Sequence, residues 1–124
     1  MDGGIPILKI GTTLLATVHV DLHDHVAEAF QADVLRAIEN TSAKGLVIDV
    51  SGLEIVDSYV ARILAETGRM AKLMGTSTVL VGMRPEVAGT LVRMGYTMQG
   101  VQTALDLEAG LLALGQKLVS VDKT

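Results

Sequence analysis

The chain has no cysteine and no tryptophan, and only one phenylalanine and two tyrosines in 124 residues. Without cysteine it can form no disulfide, no thiolate metal site and no cysteine nucleophile, a usage that fits a reducing cytosol. With so few aromatics, a core must be assembled from Leu, Val, Ile, Ala and Met. Positive charge is also scarce. Ten Lys and Arg stand against 14 Asp and Glu, a net charge of -4, so there is no basic footprint for nucleic acid. No apolar stretch approaches the roughly 18 residues of a membrane helix. The N-terminus lacks the basic region and apolar core of a signal peptide. A cytoplasmic protein without membrane contact is expected. No Gly-rich phosphate loop of either common type occurs, and no nucleophile-elbow glycine pattern surrounds Ser58.

Apolar residues, in contrast, make up 49% of the chain, and the mean hydropathy is +0.45. That is high for a chain without membrane or secretion features. We expect part of the surface to be apolar because another subunit covers it. The length suits one domain, spanning 1–124, with flexible tails at 1–4 and 119–124.

Periodicity gives the order of elements. Ile7 to Ile10 and Leu14 to Val20 flank the turn Gly11-Thr12-Thr13 and read as an antiparallel hairpin. Asp21 to His25 is polar, and Asp24 can cap the next helix. There Val26, Phe30, Val34, Ala37 and Ile38 recur at helical spacing, with Glu28, Gln31, Arg36 and Glu39 facing away. Leu46 to Val50 is a continuous apolar run, as in a strand buried on both faces. A helix from about Ser58 to Met74 carries the stripe Val60, Ile63, Leu64, Thr67, Ala71 and Met74. Arg62, Glu66, Arg69 and Lys72 lie opposite, and Gly75 is the expected left-handed cap. Thr78 to Val81 is another apolar strand. Pro85 and Glu86 open a third helix that ends at Gly95. A short edge strand is expected near Met98 to Val101. A last helix starts at Thr103, its hydroxyl as cap, with Leu107, Leu111, Leu114 and Leu118 at helical spacing. Strand-helix-strand units imply parallel pairing and right-handed crossovers. The fold class is therefore α/β, with a mixed, mostly parallel sheet of four to five strands opened by a hairpin, and about four helices.

Candidate chemistry is sparse. His19, His23 and His25 are close in sequence, but nothing converges with them, so an exposed polar loop is the better reading than a metal site. Met70, Met74, Met83, Met94 and Met98 read as gap filling in a core poor in aromatics. No catalytic residue, cofactor or metal site is expected, and the chain is not read as an enzyme. Asp49 ends a buried strand, as the phosphoacceptor of a receiver domain would. The first strand, however, ends without an acidic pair for magnesium, and the chain opens with a hairpin. The most informative segment is Gly45 to Leu64, GLVIDVSGLEIVDSYVARIL. It runs from a buried strand through the turn Ser51-Gly52-Leu53-Glu54 into a helix whose first polar residues are Asp57 and Ser58. Read from the residues alone, these two are first of all ordinary N-caps, with a side-chain oxygen on a free amide of the first turn, and only second a site where a partner reads and a kinase modifies the hydroxyl.

The stretches IPILKIGTTLLATV, VIDVSGLEIVDSYVARIL, KLMGTSTVLVGMRPEVAGTLVRMGY and TALDLEAGLLAL together resemble a STAS domain from about Ile5 to Leu118. More narrowly they resemble the short single-domain scaffold type of the bacterial stressosome. The most specific elements are Val56-Asp57-Ser58-Tyr59 and Lys72-Leu73-Met74-Gly75. The resemblance implies a STAS fold and a non-enzymatic signalling scaffold. It implies that Ser58, after Asp57, is phosphorylated by a serine/threonine switch kinase, which is sequestered until then and released afterwards, with a phosphatase reversing the change. It further implies homodimers and large hetero-oligomers with longer STAS paralogues that carry N-terminal sensor domains. A chain of this length has no room for such a domain, which favours the single-domain type. Free anti-anti-sigma factors share the fold and remain an alternative; a receiver-like or small-ligand-sensing domain is a more distant one. Physically, a phosphate at Ser58 would meet the free amides and the positive end of a helix dipole. Arg62, four residues on, could pair with it. Glu54 and Asp57 would oppose it. Tyr59 completes the expected partner surface.

Overall fold

The computed structural model describes residues 5–18, 22, 24–95 and 101–122, with the backbone alone for Asp24 and for 116–122. Among these described residues nine elements follow one another: β1 (Ile7–Ile10), β2 (Thr13–Thr17), α1 (Asp24–Thr41), β3 (Gly45–Asp49), α2 (Ser58–Leu73), β4 (Ser77–Val81), α3 (Pro85–Arg93), β5 (Gln102–Ala104) and α4 (Leu107–Asp122). The strands lie in one sheet in the order β1-β2-β3-β4-β5. β1 and β2 are antiparallel across the two-residue turn Gly11-Thr12. The other three pairings are parallel. The mixed sheet opened by a hairpin, the five strands and the four helices all match the sequence reading.

Strand side chains alternate between faces, and this separates two apolar layers. Leu14, Ala16, Leu46, Ile48 and Leu80 point to one face. They meet Phe30, Val34 and Ile38 of α1, Val60, Ile63 and Leu64 of α2, and Val87 and Leu91 of α3. Leu15, Val47, Val79 and Val81 point to the other face and meet Leu107, Leu111 and Leu114 of α4. A strand covered on both faces has no polar positions to alternate with, which is why β3 and β4 read as unbroken apolar runs.

Several boundaries and roles differ from the sequence reading, each for a physical reason. The fifth strand lies at Gln102–Ala104, where it pairs in register with Val79–Val81 of β4. That pairing draws Thr103 into the sheet, so it does not cap the last helix. Asp106 caps it instead, its Oδ1 accepting from the amide of Ala109 at 2.9 Å. β2 ends at Thr17. Gln31 does not face away. It lies half-buried between α1 and α2, and its Nε2 donates to Thr67 Oγ1 at 3.1 Å. Met74 follows the last residue of α2 and is exposed, as is Met70, while Met83 and Met94 do pack against the core. Gly75, at φ +89°, supplies the expected left-handed position. His25 lies in the first turn of α1, exposed. His19 and His23, the side chain of Asp24, Met98 and the N-terminal tail at 1–4 lie outside the described residues. The C-terminal tail was placed at 119–124; of it, 119–122 are the end of α4, and 123–124 lie outside the description.

α4 can lie this close to the sheet because it has a glycine where it crosses β4. A Cβ on Gly110 would come within 2.6 Å of Val81 Cγ1 and 3.4 Å of Val79 Cγ1. Gly110→Ala sets two effects against each other. Alanine favours a helix interior by about 0.8–1 kcal/mol, while overpacking a filled core costs about 1–3 kcal/mol. Overpacking should win because Val81 is a central strand residue with no room to retreat. We expect a net loss on the order of 1 kcal/mol in urea unfolding, partly restored by Val81→Ala. A more stable variant would show that α4 rides further from the sheet.

Candidate functional site

The segment between β3 and α2 is a pinned loop, and its fixed points come directly from its sequence. Val50 continues the ladder, its amide donating to the carbonyl of Val81 at 2.9 Å. The turn then closes with Leu53 N–H donating to Val50 C=O at 3.0 Å. Leu53 and Val56 point down into the core and are buried. Between and after these two anchors, Glu54, Ile55, Asp57 and Ser58 are left exposed. Two apolar plugs thus hold a polar loop in one place, each stabilising it by roughly 1.5–3 kcal/mol.

Neighbouring elements add a second set of restraints. Asp49, the last residue of β3, accepts from the amide of Ser51 through Oδ1 at 3.0 Å. Arg84, just before α3, donates from Nε to the carbonyl of Ser51 at 3.1 Å. Gly82 has φ +77°, and a Cβ there would lie 3.0 Å from both Asp49 Oδ1 and Ser51 Cβ. Only glycine combines that conformation with that close approach. The spacing of Arg84 and Gly82 from Ser51 is about thirty residues in sequence, and no local pattern connected them; the sequence reading missed both.

Asp57 is the N-cap of α2. Its backbone is extended, and Oδ1 accepts from the amide of Val60 at 2.9 Å. Its carbonyl receives the amide of Ala61 at 3.0 Å. The capping role that Asp57 and Ser58 could equally have filled therefore belongs to Asp57. Ser58 is the first residue of the helix and is exposed. Tyr59 is half-buried, and its hydroxyl donates to Glu28 Oε2 of α1 at 2.9 Å. Glu28 was assigned only a solvated face from its periodicity, and its contact was not legible there. Arg62 lies with its guanidinium carbon 5.5 Å from the centre of the Tyr59 ring, and its Nε is 3.9 Å from Glu66 Oε2. The structure thus gathers Glu54, Asp57, Ser58, Tyr59 and Arg62 at one end of α2. In this state Arg62 is engaged with Tyr59 and Glu66. Among the described residues, no helix is long and apolar enough to cross a membrane.

Comparison with known proteins gives a consistent picture. The family model described as the STAS domain matches residues 5–108. The RsbT co-antagonist protein RsbRD of Bacillus subtilis strain 168 is 32% identical over 115 residues, which is 91% of this chain and 41% of that protein. The chain therefore spans about two fifths of the length of that relative. Among solved structures, the S58E variant of RsbS from Moorella thermoacetica superposes with a TM-score of 0.82 at 39% identity, covering 92% of this chain and 97% of the other. A chain of the stressosome, described as a signal integration and transduction hub, superposes with a TM-score of 0.75 at 41% identity, covering 91% and 98%.

The division of labour between Asp57 and Ser58 has a measurable consequence. Asp57→Ala removes a satisfied N-cap and should cost about 1 kcal/mol, within the 0.5–2 kcal/mol range for such losses. Ser58→Ala removes an exposed hydroxyl outside the cap and should stay within about 0.5 kcal/mol. Urea denaturation of the two variants beside the parent decides it. Equal losses would mean that the helix start is shared between the two side chains.

Proposed function

The chain belongs to the STAS-domain family, and from that premise we propose that it is a kinase-holding scaffold subunit of the RsbS kind in a stressosome-like assembly. It sequesters a serine/threonine switch kinase while the Ser58 hydroxyl is free. The kinase phosphorylates Ser58 and is released, and a phosphatase restores the starting state. The partner it holds is of the RsbT type, RsbT being the protein that the RsbRD relative is described as co-antagonising. The other subunits are longer STAS paralogues with N-terminal sensor domains. The assembly is cytoplasmic and includes dimers of this chain. The observation that carries the reading is Ser58 itself: it is exposed on a pinned loop at a helix start, while its neighbour Asp57 does the structural work of the cap.

The physical chemistry of the switch supports this role. Phosphorylation adds about -1.5 to -2 charges at the first residue of α2. Free amides and the helix dipole favour an anion there. Arg62 is one turn away on the same side of the helix. Its present contacts are exposed, and such contacts contribute only about 0–1 kcal/mol. A dianion can draw the guanidinium from Glu66 at little expense. Glu54 and Asp57 act in the opposite direction through like charge. The domain tolerates the phosphate, while a partner packed over Ser58 must desolvate a dianion that it has no groups to neutralise.

Incubation with ATP and the cognate kinase should place phosphate on Ser58, and Ser58→Ala should abolish it. Undiminished incorporation in that variant, or labelling of Asp49 by acetyl phosphate, would sink the assignment. Ser58→Asp should fold like the parent and bind the kinase more weakly, as a partial mimic with less charge and fewer acceptor oxygens than phosphate. Arg62→Ala should alter recognition of the phosphorylated form while thermal stability stays nearly unchanged. Amide chemical shifts should move in the 50–57 loop and the first turns of α2. Large shifts across β3 and β4 would mean that the core rearranges, contrary to a local electrostatic switch.

A further inference from the structure

We propose that the outer edge of β1 is a self-association surface, at which β1 of a second copy of this chain pairs antiparallel about a two-fold axis through Leu8. β1 is the terminal strand of the sheet. One hydrogen bond fixes which way its backbone groups point. The amide of Thr17 donates to the carbonyl of Pro6 at 3.3 Å. In the register that sets Ile7 against Ala16 and Leu8 against Leu15, those two residues stand opposite each other. Opposed residues in an antiparallel ladder alternate between bonded and non-bonded pairs. Pro6, Leu8 and Ile10 therefore turn their main-chain groups toward β2, and Ile7 and Lys9 turn theirs outward. The missing N–H of Pro6 faces inward and leaves the outer edge uninterrupted.

That outer edge is complementary to itself. Ile7 can exchange both main-chain bonds with Lys9 of the second copy, and Lys9 with its Ile7. Leu8 then stands opposite Leu8 as a non-bonded pair, the closer of the two kinds, with Cα atoms about 4.5 Å apart. The side chains favour this register. Leu8 shares the sheet face of its partner Leu15, which belongs to the layer under α4. α4 covers Leu15 but leaves Leu8 58% and Ile10 45% exposed. Pairing continues that apolar layer across the junction. Within β1, the charge of Lys9 guards the edge. In this register the two lysines sit diagonally, on the order of 8–9 Å apart from the strand spacing and rise. They are in solvent, where a Debye length of about 8 Å screens them. The contact is isologous and closes at two copies. The inference rests on the scaffold reading for one point only, that the chain associates; the surface is its own claim.

The absence of cysteine makes the test clean. A thiol at position 8 would meet its symmetry mate within the 4.4–6.8 Å Cα range of a disulfide. Under mild oxidation, Leu8→Cys should form a covalent dimer. The control is Leu73→Cys, placed at the most exposed large apolar residue among the described residues, 89% exposed at the far end of α2 beside Met70 and Met74. Leu8→Cys should cross-link faster by on the order of tenfold or more, as thiols held together do compared with thiols that meet by diffusion. Lys9→Pro removes an outward donor without touching the bonds to β2. It should shift sedimentation from dimer to monomer with the far-ultraviolet circular dichroism unchanged. If Leu73→Cys cross-links as fast as Leu8→Cys, or Lys9→Pro associates like the parent, the β1 surface is wrong while the scaffold reading stands. A parent chain that stays monomeric alone at high concentration overturns the β1 surface, and one that also stays monomeric when mixed with the longer STAS paralogues overturns the scaffold reading as well.

Discussion

The requirement that β3 and β4 be covered on both faces governs the rest of the molecule. Leu46, Val47 and Ile48 are each fully buried, with neighbours in register on β4 that are equally buried. Each such side chain left in water would cost roughly 1.5–3 kcal/mol. One layer of helices cannot satisfy both faces. α1, α2 and α3 take one face and α4 takes the other. Parallel pairing through β2, β3 and β4 then follows, because each crossover must carry a helix across the sheet. The hairpin at the start adds a fifth strand without a crossover, and it does so at the edge, where covering is least complete.

Because the strands are parallel, the turns that leave β3 and β4 emerge at the same end of the sheet. This is what brings Asp49, Ser51, Gly82 and Arg84 together although they come from two crossovers. The exposed end of α2 therefore stands on a rigid base. A loop held only by its own ends would lose conformational entropy on binding a partner. The loop carrying Ser58 has already paid that cost through Leu53, Val56 and the Asp57 cap. A modification there changes charge on a surface whose shape is set beforehand.

How much of this was legible in the sequence depended on the range of each interaction. The strand and helix order followed from local periodicity, and Gly75 and Pro85 marked helix limits by their own backbone preferences. The five named site residues lie within nine positions of one another, so local reading could place them together. What failed was long-range. The fifth strand was displaced because only pairing with β4 picks out Gln102–Ala104. Gln31 was given to solvent because its partner Thr67 sits on another helix, 36 residues away. Glu28, Gly82 and Arg84 act through contacts about 30 residues distant, and composition carries no trace of them. The choice between Asp57 and Ser58 as cap was ambiguous for another reason. Both types cap well, and one residue of register decides which does.

The placement of Ser58 also bears on what a scaffold must do. It has to change its hold on one partner without losing its hold on the others. Ser58 follows β3 at the carboxyl end of the parallel strands, with β2 standing between β3 and β1. Two strand spacings alone amount to about 10 Å, already more than a Debye length of about 8 Å at physiological salt. The direct field of a phosphate at Ser58 is therefore largely spent before it reaches the outer edge of β1. Transmission by packing would need β3 to move, and β3 is buried between β2 and β4 with helices on both faces, with no room to shift without opening voids. On the proposed readings, switching at the helix end and association at the sheet edge would be mechanically separate, and a subunit built this way could release a kinase while staying in its assembly.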